Sequence, residues 1–125
     1  MSTIKFTRDH EWIQLEDDGV ATVGITDYAQ DQLGELVYVE LPEVDQEFGA
    51  GSDAVVIESV KAAGEVKAPV GGSVTAVNED LVDEPGKVNT DPMGDGWFMK
   101  MQVTDPSELD DLMDEDAYKE YTDEL

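Results

Sequence analysis

Ala54-Val55-Val56-Ile57-Glu58-Ser59-Val60-Lys61-Ala62-Ala63-Gly64-Glu65-Val66-Lys67-Ala68 is the stretch on which the reading of this chain turns. Two short runs, Ala54 to Glu58 and Glu65 to Ala68, flank a centre of small side chains, the pattern of two strands joined by a turn. Ser59, Ala62, Ala63 and Gly64 leave that turn uncrowded, so Lys61 points outward from its tip. An exposed lysine of this kind suits acylation by a prosthetic acid, which would give a long flexible arm on an amide bond. It also suits a plain solvated lysine, which turns commonly carry, and taken alone the hairpin favours that second reading.

The flanking sequence continues the β pattern. From Trp12 to Val103 the apolar residues come in short runs separated by Gly, Pro, Asn and Asp. Further strands are predicted at Val20 to Ile25, Leu36 to Leu41, Ser73 to Val77 and Phe98 to Val103. One short helix is predicted over Tyr28 to Leu33, capped by Asp27 with Gln30 three residues on and ended by Gly34. Gly34 to Gly49, with Val37, Val39 and Glu47-Phe48-Gly49, is echoed by Gly72 to Gly86, with Val74, Val77 and Glu84-Pro85-Gly86. The echo suggests two similar multi-stranded units packed face to face. The tail differs. Asp105-Pro106-Ser107-Glu108 supplies a cap, a first-turn proline and a glutamate for a helix with Leu109, Leu112 and Met113 on one face. Tyr118, Tyr121 and Leu125 recur at helical spacing and are expected to pack on the sheets.

Composition limits the rest. With 125 residues the chain suits a single domain, and without cysteine it has no disulfide, thiolate metal site or redox sulfur of its own. Met1 through Arg8 lacks the apolar run of a signal peptide, and no apolar stretch approaches the ~20 residues needed to span a bilayer, so a cytoplasmic protein is expected. The formal charge of -24, from 31 acidic and 7 basic residues, argues against nucleic acid or anionic lipid as a partner. The acids are scattered between apolar residues rather than gathered in one block. Such self-repulsion is largely screened at molar salt, where the Debye length is about 3 Å, so the composition points to a salt-rich, halophile-like cytoplasm. An acidic face for one basic partner is the competing reading.

Other signals are weaker. Met99-Lys100-Met101 resembles a biotinylation tripeptide, but Lys100 falls inside a continuous strand pattern instead of a turn. Gly49-Ala50-Gly51 imitates a dinucleotide loop, but a strand follows it, not a helix. Asp114-Glu115-Asp116 lacks the spacing of a calcium loop, and the single His10 cannot form a multi-histidine metal site.

Several ordered segments change the weight given to Lys61. Glu58-Ser59-Val60-Lys61-Ala62, followed by Ala68-Pro69-Val70-Gly71-Gly72-Ser73-Val74, resembles the lipoyl-attachment segment of the H proteins of the glycine cleavage system. Asp9-His10-Glu11-Trp12, Val23-Gly24-Ile25-Thr26-Asp27-Tyr28-Ala29, Leu33-Gly34-Glu35 with Val39-Glu40-Leu41-Pro42, and Gly94-Asp95-Gly96-Trp97 with Lys100 resemble the same family in the same order. The resemblance covers nearly the whole chain. Gly64-Glu65 stands where many relatives have Ser-Asp, and Asp9 where a serine is common.

The resemblance implies a mainly β fold, a flattened barrel or sandwich of two antiparallel sheets with quasi-twofold symmetry, plus a short helix and a C-terminal helical segment. It implies lipoate on Lys61 and no independent enzymatic activity. The implied partners are a pyridoxal-phosphate glycine decarboxylase that loads an aminomethyl group, a folate-dependent aminomethyltransferase that takes the one-carbon unit, a flavin dihydrolipoyl dehydrogenase, and a lipoylating enzyme. Glu11 is the implied acid that docks the amine of the loaded arm, and Glu58 and Gly72 are the implied recognition positions for the lipoylating enzyme. The expectation is one lipoyl-carrier domain over residues 1–125, a β core over 1–104 with a helical segment over 105–125 packed on it, and a monomer. The alternatives are a lipoyl relay or another lipoyl or biotinyl carrier domain, and an unmodified acidic binding module.

Overall fold

The computed structural model describes residues 3–16 and 18–124. A hairpin of β1 (Thr3–Phe6) and β2 (Glu11–Leu15) leads into β3 (Val20–Ile25) and helix α1 (Asp27–Leu33). Strand β4 (Leu36–Glu40), the two-residue β5 (Glu47–Phe48), β6 (Asp53–Ser59), β7 (Ala63–Lys67) and β8 (Gly72–Val77) follow. Two single-turn helices, α2 (Asp80–Asp83) and α3 (Lys87–Thr90), precede β9 (Met99–Val103). A 3-10 helix over Pro106–Asp111 and helix α4 (Glu115–Asp123) complete the described chain.

The strands form two antiparallel sheets, a larger one in the order β1-β2-β3-β9-β8-β5 and a smaller one in the order β4-β6-β7. Alternation explains how they meet. Met99, Met101 and Val103 of β9 are buried while Lys100 and Gln102 are exposed, and β6 likewise buries Val55 and Ile57. These inward residues form one core with Ile13, Val23, Val39, Val66, Val74 and Phe98. At roughly 1.5–3 kcal/mol for each fully buried large apolar side chain, this layer is the main source of stability. The sheets face each other without closing into a barrel. They are also unequal, and the two echoing segments do not each build one of them. The first copy sends β4 to the small sheet and β5 to the large one, where Glu47 pairs with Ser73. Two residues suffice to pair but are too few to show a period in sequence.

The helices refine the sequence reading in two places. Thr26, not Asp27, caps α1. Thr26 has the extended backbone a cap requires, and its hydroxyl accepts from Ala29 N at 3.2 Å. Asp27 is already helical and accepts instead from the Gln30 side-chain amide at 2.9 Å. Gly34 ends the helix with φ of 81°, a conformation open to glycine and strained for other residues. In the tail, Asp105 caps as expected, accepting from Ser107 N, but the turn that follows is 3-10. Its tighter winding separates the apolar residues. Leu109 and Leu112 join the main core, whereas Met113 joins a second cluster of Phe6, Trp12 and Tyr118.

That second cluster fastens α4 to the large sheet. Phe6 and Met113 exchange backbone hydrogen bonds of 2.8 and 3.0 Å, and the Phe6 and Tyr118 rings stack with centroids 4.6 Å apart. Tyr121 packs on the same cluster, while Leu125 lies outside the described residues. No helix among the described residues is long and apolar enough to cross a membrane.

Candidate functional site

Lys61 occupies the tip of the β6–β7 hairpin, where Glu58 pairs with Ala63 and Val60-Lys61-Ala62 make the turn. Ser59 holds that turn. Its hydroxyl oxygen accepts from Lys61 N at 3.2 Å and from Ala62 N at 3.0 Å, and donates to the Ala62 carbonyl at 3.1 Å. Ser59 N donates to the same carbonyl at 2.7 Å. A single short polar side chain therefore closes the loop, leaving Val60, Lys61, Ala62 and Ala63 exposed. One bond ties the tip to the body: Val60 N donates to the Glu35 carbonyl at 3.0 Å. A Cβ added at Gly64 would meet nothing within 4 Å, so the approach to the lysine is open on that side.

Beside the hairpin lies a cleft of about 230 Å³. Ile25, Ala29, Leu33, Ile57 and Val66 give it apolar walls, and His10 and Glu11 give it its buried and half-buried polar groups. The Lys61 side chain runs along Gly34, the residue after Leu33, and so leaves the tip next to this cleft. The local sequence places the polar pair. Thr7-Arg8-Asp9-His10 forms a four-residue connection between β1 and β2, and its last residue, His10, takes a left-handed φ of 69°. The turn starts β2 at Glu11, a residue only 3% exposed.

Glu11 is thus a buried acid, unlike the solvated carboxylates that cover most of this chain. Lys67 N donates to its Oε2 at 2.6 Å and the Thr7 hydroxyl to its Oε1 at 3.1 Å. Burial pushes its carboxyl up to about 7, against the pull of those two hydrogen bonds, and the charge of Asp9 adds to the rise. Burial lowers the His10 imidazole, with Asp9 opposing. His10 Nδ1 lies 2.8 Å from the Tyr118 hydroxyl, which is 2.7 Å from the Thr26 hydroxyl, and the ring packs against Tyr28 at 4.4 Å. Near neutral pH the cleft therefore presents a neutral imidazole and a carboxyl poised between its two states. It accepts an apolar chain when Glu11 is protonated and a cation when Glu11 is ionised.

The other predicted positions separate. Glu58 is exposed on β6, three residues before Lys61, facing Tyr38 across the small sheet. Gly72 lies in the other sheet, buried in β8 between Phe48 and Val103, and not in a turn. A Cβ there would collide with the Gln102 carbonyl oxygen, so glycine permits the close approach of β8 and β9. The departures noted in sequence cluster here: Asp9, Gly64 and Glu65 all line the cleft, and Asp9 stands 4.0 Å from the Lys67 ammonium. Lys100 lies on β9 with its ammonium 5.2 Å from the Trp97 ring, away from any turn. Gly49-Ala50-Gly51 is a turn before β6.

Sequence reasoning missed the aromatic cage of His10, Tyr28, Tyr118 and Tyr121. Its members come from three separate elements, and the only local signal was an Asp-His pair at a strand connection. The arrangement as a whole offers an acylable amine on an open tip beside an apolar cleft with an acid at its base. An acyl arm on Lys61 fits this geometry, because the tip is uncrowded and the adjacent walls are apolar.

Comparison with known proteins agrees with this geometry. The family model for the glycine cleavage H-protein matches residues 4–125. The glycine cleavage system H protein of Rhodospirillum rubrum is 56% identical over 125 residues, covering 100% of this chain and 99% of the relative. That of Parvibaculum lavamentivorans is 57% identical over 125 residues, with the same coverage of 100% and 99%. Among solved structures, the crystal structure of a glycine cleavage system H protein from Mycobacterium marinum superposes with a TM-score of 0.85 at 36% identity, covering 97% of this chain and 94% of that one.

Proposed function

The chain belongs to the glycine cleavage H-protein family, and from that premise we propose that Lys61 is the residue that bears its lipoyl arm. The protein is the lipoyl carrier of the glycine cleavage system, a component without enzymatic activity of its own. It carries lipoate covalently on a lysine and serves the glycine decarboxylase, the aminomethyltransferase and the dihydrolipoyl dehydrogenase in turn. Lipoate supplies a disulfide that accepts the aminomethyl group of glycine and two thiols that return electrons to the dehydrogenase.

The observation that carries the choice of lysine is the Ser59-closed turn, which holds Lys61 exposed and without an acid partner among the described residues, beside a cleft of suitable lining. The chain's own residues then have distinct tasks. Ser59 fixes the shape of the tip. Ile25, Leu33, Ile57 and Val66 exclude water from an arm laid between them. Glu11, held by the Lys67 amide and the Thr7 hydroxyl, receives the cationic amine of the loaded arm and ionises as it does so. Glu58, exposed beside the tip, suits direct recognition by the lipoylating enzyme, whereas Gly72 serves recognition only through the strand packing it permits. The whole chain works as a single carrier domain, since α4 is fastened to the strand that leads into Glu11.

Intact-mass and peptide mass spectrometry on protein from its native source tests the assignment. A lipoyl adduct on the Lys61 peptide is expected. An adduct on Lys100, or a clean Lys61, would overturn it.

The dispersed charge of -24 supports a salt-rich cytoplasm as the working environment. Cations to relieve it are few: Lys67 and Lys87 approach Asp9 and Asp80 at 4.0 and 3.5 Å, while Lys100 lies over Trp97. Thermal unfolding followed from about 2 M to about 0.05 M KCl should lose roughly 10 °C, as screening is withdrawn from the native state's self-repulsion. A midpoint indifferent to salt would remove the support.

A further inference from the structure

Asn89 lies in α3, outside the hairpin, the cleft and every motif discussed so far. Its side chain nevertheless reaches the end of α1 and the loop from α1 to β4. Asn89 Oδ1 accepts from Leu36 N at 2.9 Å, and Nδ2 donates to the Gly34 carbonyl at 2.8 Å and to Gln30 Oε1 at 3.0 Å. The same loop meets the hairpin tip twice. The Glu35 carbonyl, between the two residues Asn89 holds, accepts from Val60 N. Lys61 runs against Gly34 so closely that a Cβ on Gly34 would lie 3.0 Å from Lys61 Cε.

We propose that Asn89 is a positioning residue: by clamping Gly34 and Leu36 it fixes the Glu35 carbonyl, and through Val60 the direction in which the hairpin presents Lys61. The functional half of this proposal rests on Lys61 as the attachment point; the geometric half does not. The bonds from Ser59 set the shape of the turn but are internal to it, and the pairing of β4 with β6 reaches only as far as Leu36 opposite Ser59, so beyond that point the tip is held from outside through Val60. An exposed tip without an outside anchor opens readily, at little cost to the fold. The clamp requires a primary amide, because the Leu36 amide needs an acceptor while the Gly34 carbonyl and Gln30 oxygen need donors. A carboxylate of the same size satisfies the first and repels the other two.

The test compares Asn89→Ala and Asn89→Asp with the parent chain by amide hydrogen exchange, and by steady-state kinetics of lipoyl attachment with a lipoylating enzyme. In both variants the Val60 amide should exchange about tenfold faster, while Val23 and Met101 in the central strands keep their rates. Attachment to Lys61 should fall about five- to tenfold in kcat/KM. Unchanged Val60 exchange overturns the proposal, and so does acceleration shared equally by Val23 and Met101, which marks a general stability effect. Faster Val60 exchange with unaltered attachment kinetics overturns the functional half. If Asn89→Ala does not fold, the isosteric Asn89→Asp decides. An error in the assignment of Lys61 shows separately, as a parent chain with no adduct there and an intact exchange result.

Discussion

Lys61→Arg is expected to abolish lipoyl attachment and with it all glycine cleavage in a reconstituted system, while leaving the unfolding midpoint unchanged. The two side chains are similar in length and charge, and position 61 is exposed in a turn whose bonds come from Ser59 and backbone amides. Substitutions at such sites shift stability by about 0.5 kcal/mol or less. The chemistry differs completely. Acylation needs a free amine lone pair, which lysine supplies after losing one proton; the guanidinium stays protonated above pH ~12 and its lone pairs are delocalised. Mass spectrometry and coupled assays with the three enzymes measure both consequences. Retained glycine cleavage would move the carrier role to another lysine, and Lys100 would be the first to check.

Glu11→Gln should stabilise the protein at alkaline pH and impair it as a carrier. The folded carboxyl titrates near 7 against an ordinary 4.5, raised chiefly by burial. Below about pH 4.5 it is protonated in both folded and unfolded chains, so it adds no pH dependence there. Between about 4.5 and 7 the unfolded chain has already lost the proton that the native state keeps, so stability falls with rising pH. The total is about 3 kcal/mol, reached above pH ~7 and constant beyond. Glutamine avoids this loss: its oxygen can accept from the Lys67 amide, while its NH2 meets a Thr7 oxygen that already accepts from the Asp9 and Glu11 amides, which trims the gain. The variant should match the parent near pH 4 and exceed it by about 2–3 kcal/mol at pH 8, as read by denaturant unfolding. The same change removes the negative partner for the arm's amine, so ammonia should escape from the loaded carrier about tenfold faster, the equivalent of about 1.4 kcal/mol of lost charge-assisted bonding. Parallel pH profiles for parent and variant would show that Glu11 is not the titrating group.

The parts of the fold that were legible are those in which a few neighbouring residues decide the outcome. The bounds of β3 follow from its β-branched run, Gly34 from the left-handed position that ends α1, and the Lys61 turn from the small residues around it. The resemblance to a family joined these local readings into one fold. What was not legible depends on residues far apart in sequence. Glu11 looks like one more surface acid until the fold brings the Lys67 amide, 56 positions away, to its carboxylate. Strands β1 and β2 mix charged and polar residues with apolar ones, and β5, α2 and α3 are too short for any period to show. Thr26 outcompeted Asp27 as a cap because backbone conformation, not side-chain type, selects between two adjacent residues that can both cap.

The order of strands in the large sheet also governs when the site can exist during synthesis. β3 lies between β2 and β9, so Val23 pairs with Met99, and the indole of Trp12 donates to the carbonyl of Pro92, 80 residues later. Contacts of such long range give a high contact order and slow folding, since the intervening loop must close before any of them forms. The β6–β7 hairpin, in contrast, is local and can form as soon as it leaves the ribosome. Lys61 can therefore be displayed on a nascent chain whose cleft-lining residues, all before Lys67, are already made but whose large sheet still lacks β9. A lipoylating enzyme that reads only the hairpin can act on the growing polypeptide, whereas one that also reads the strands around Gly72 must wait for β9.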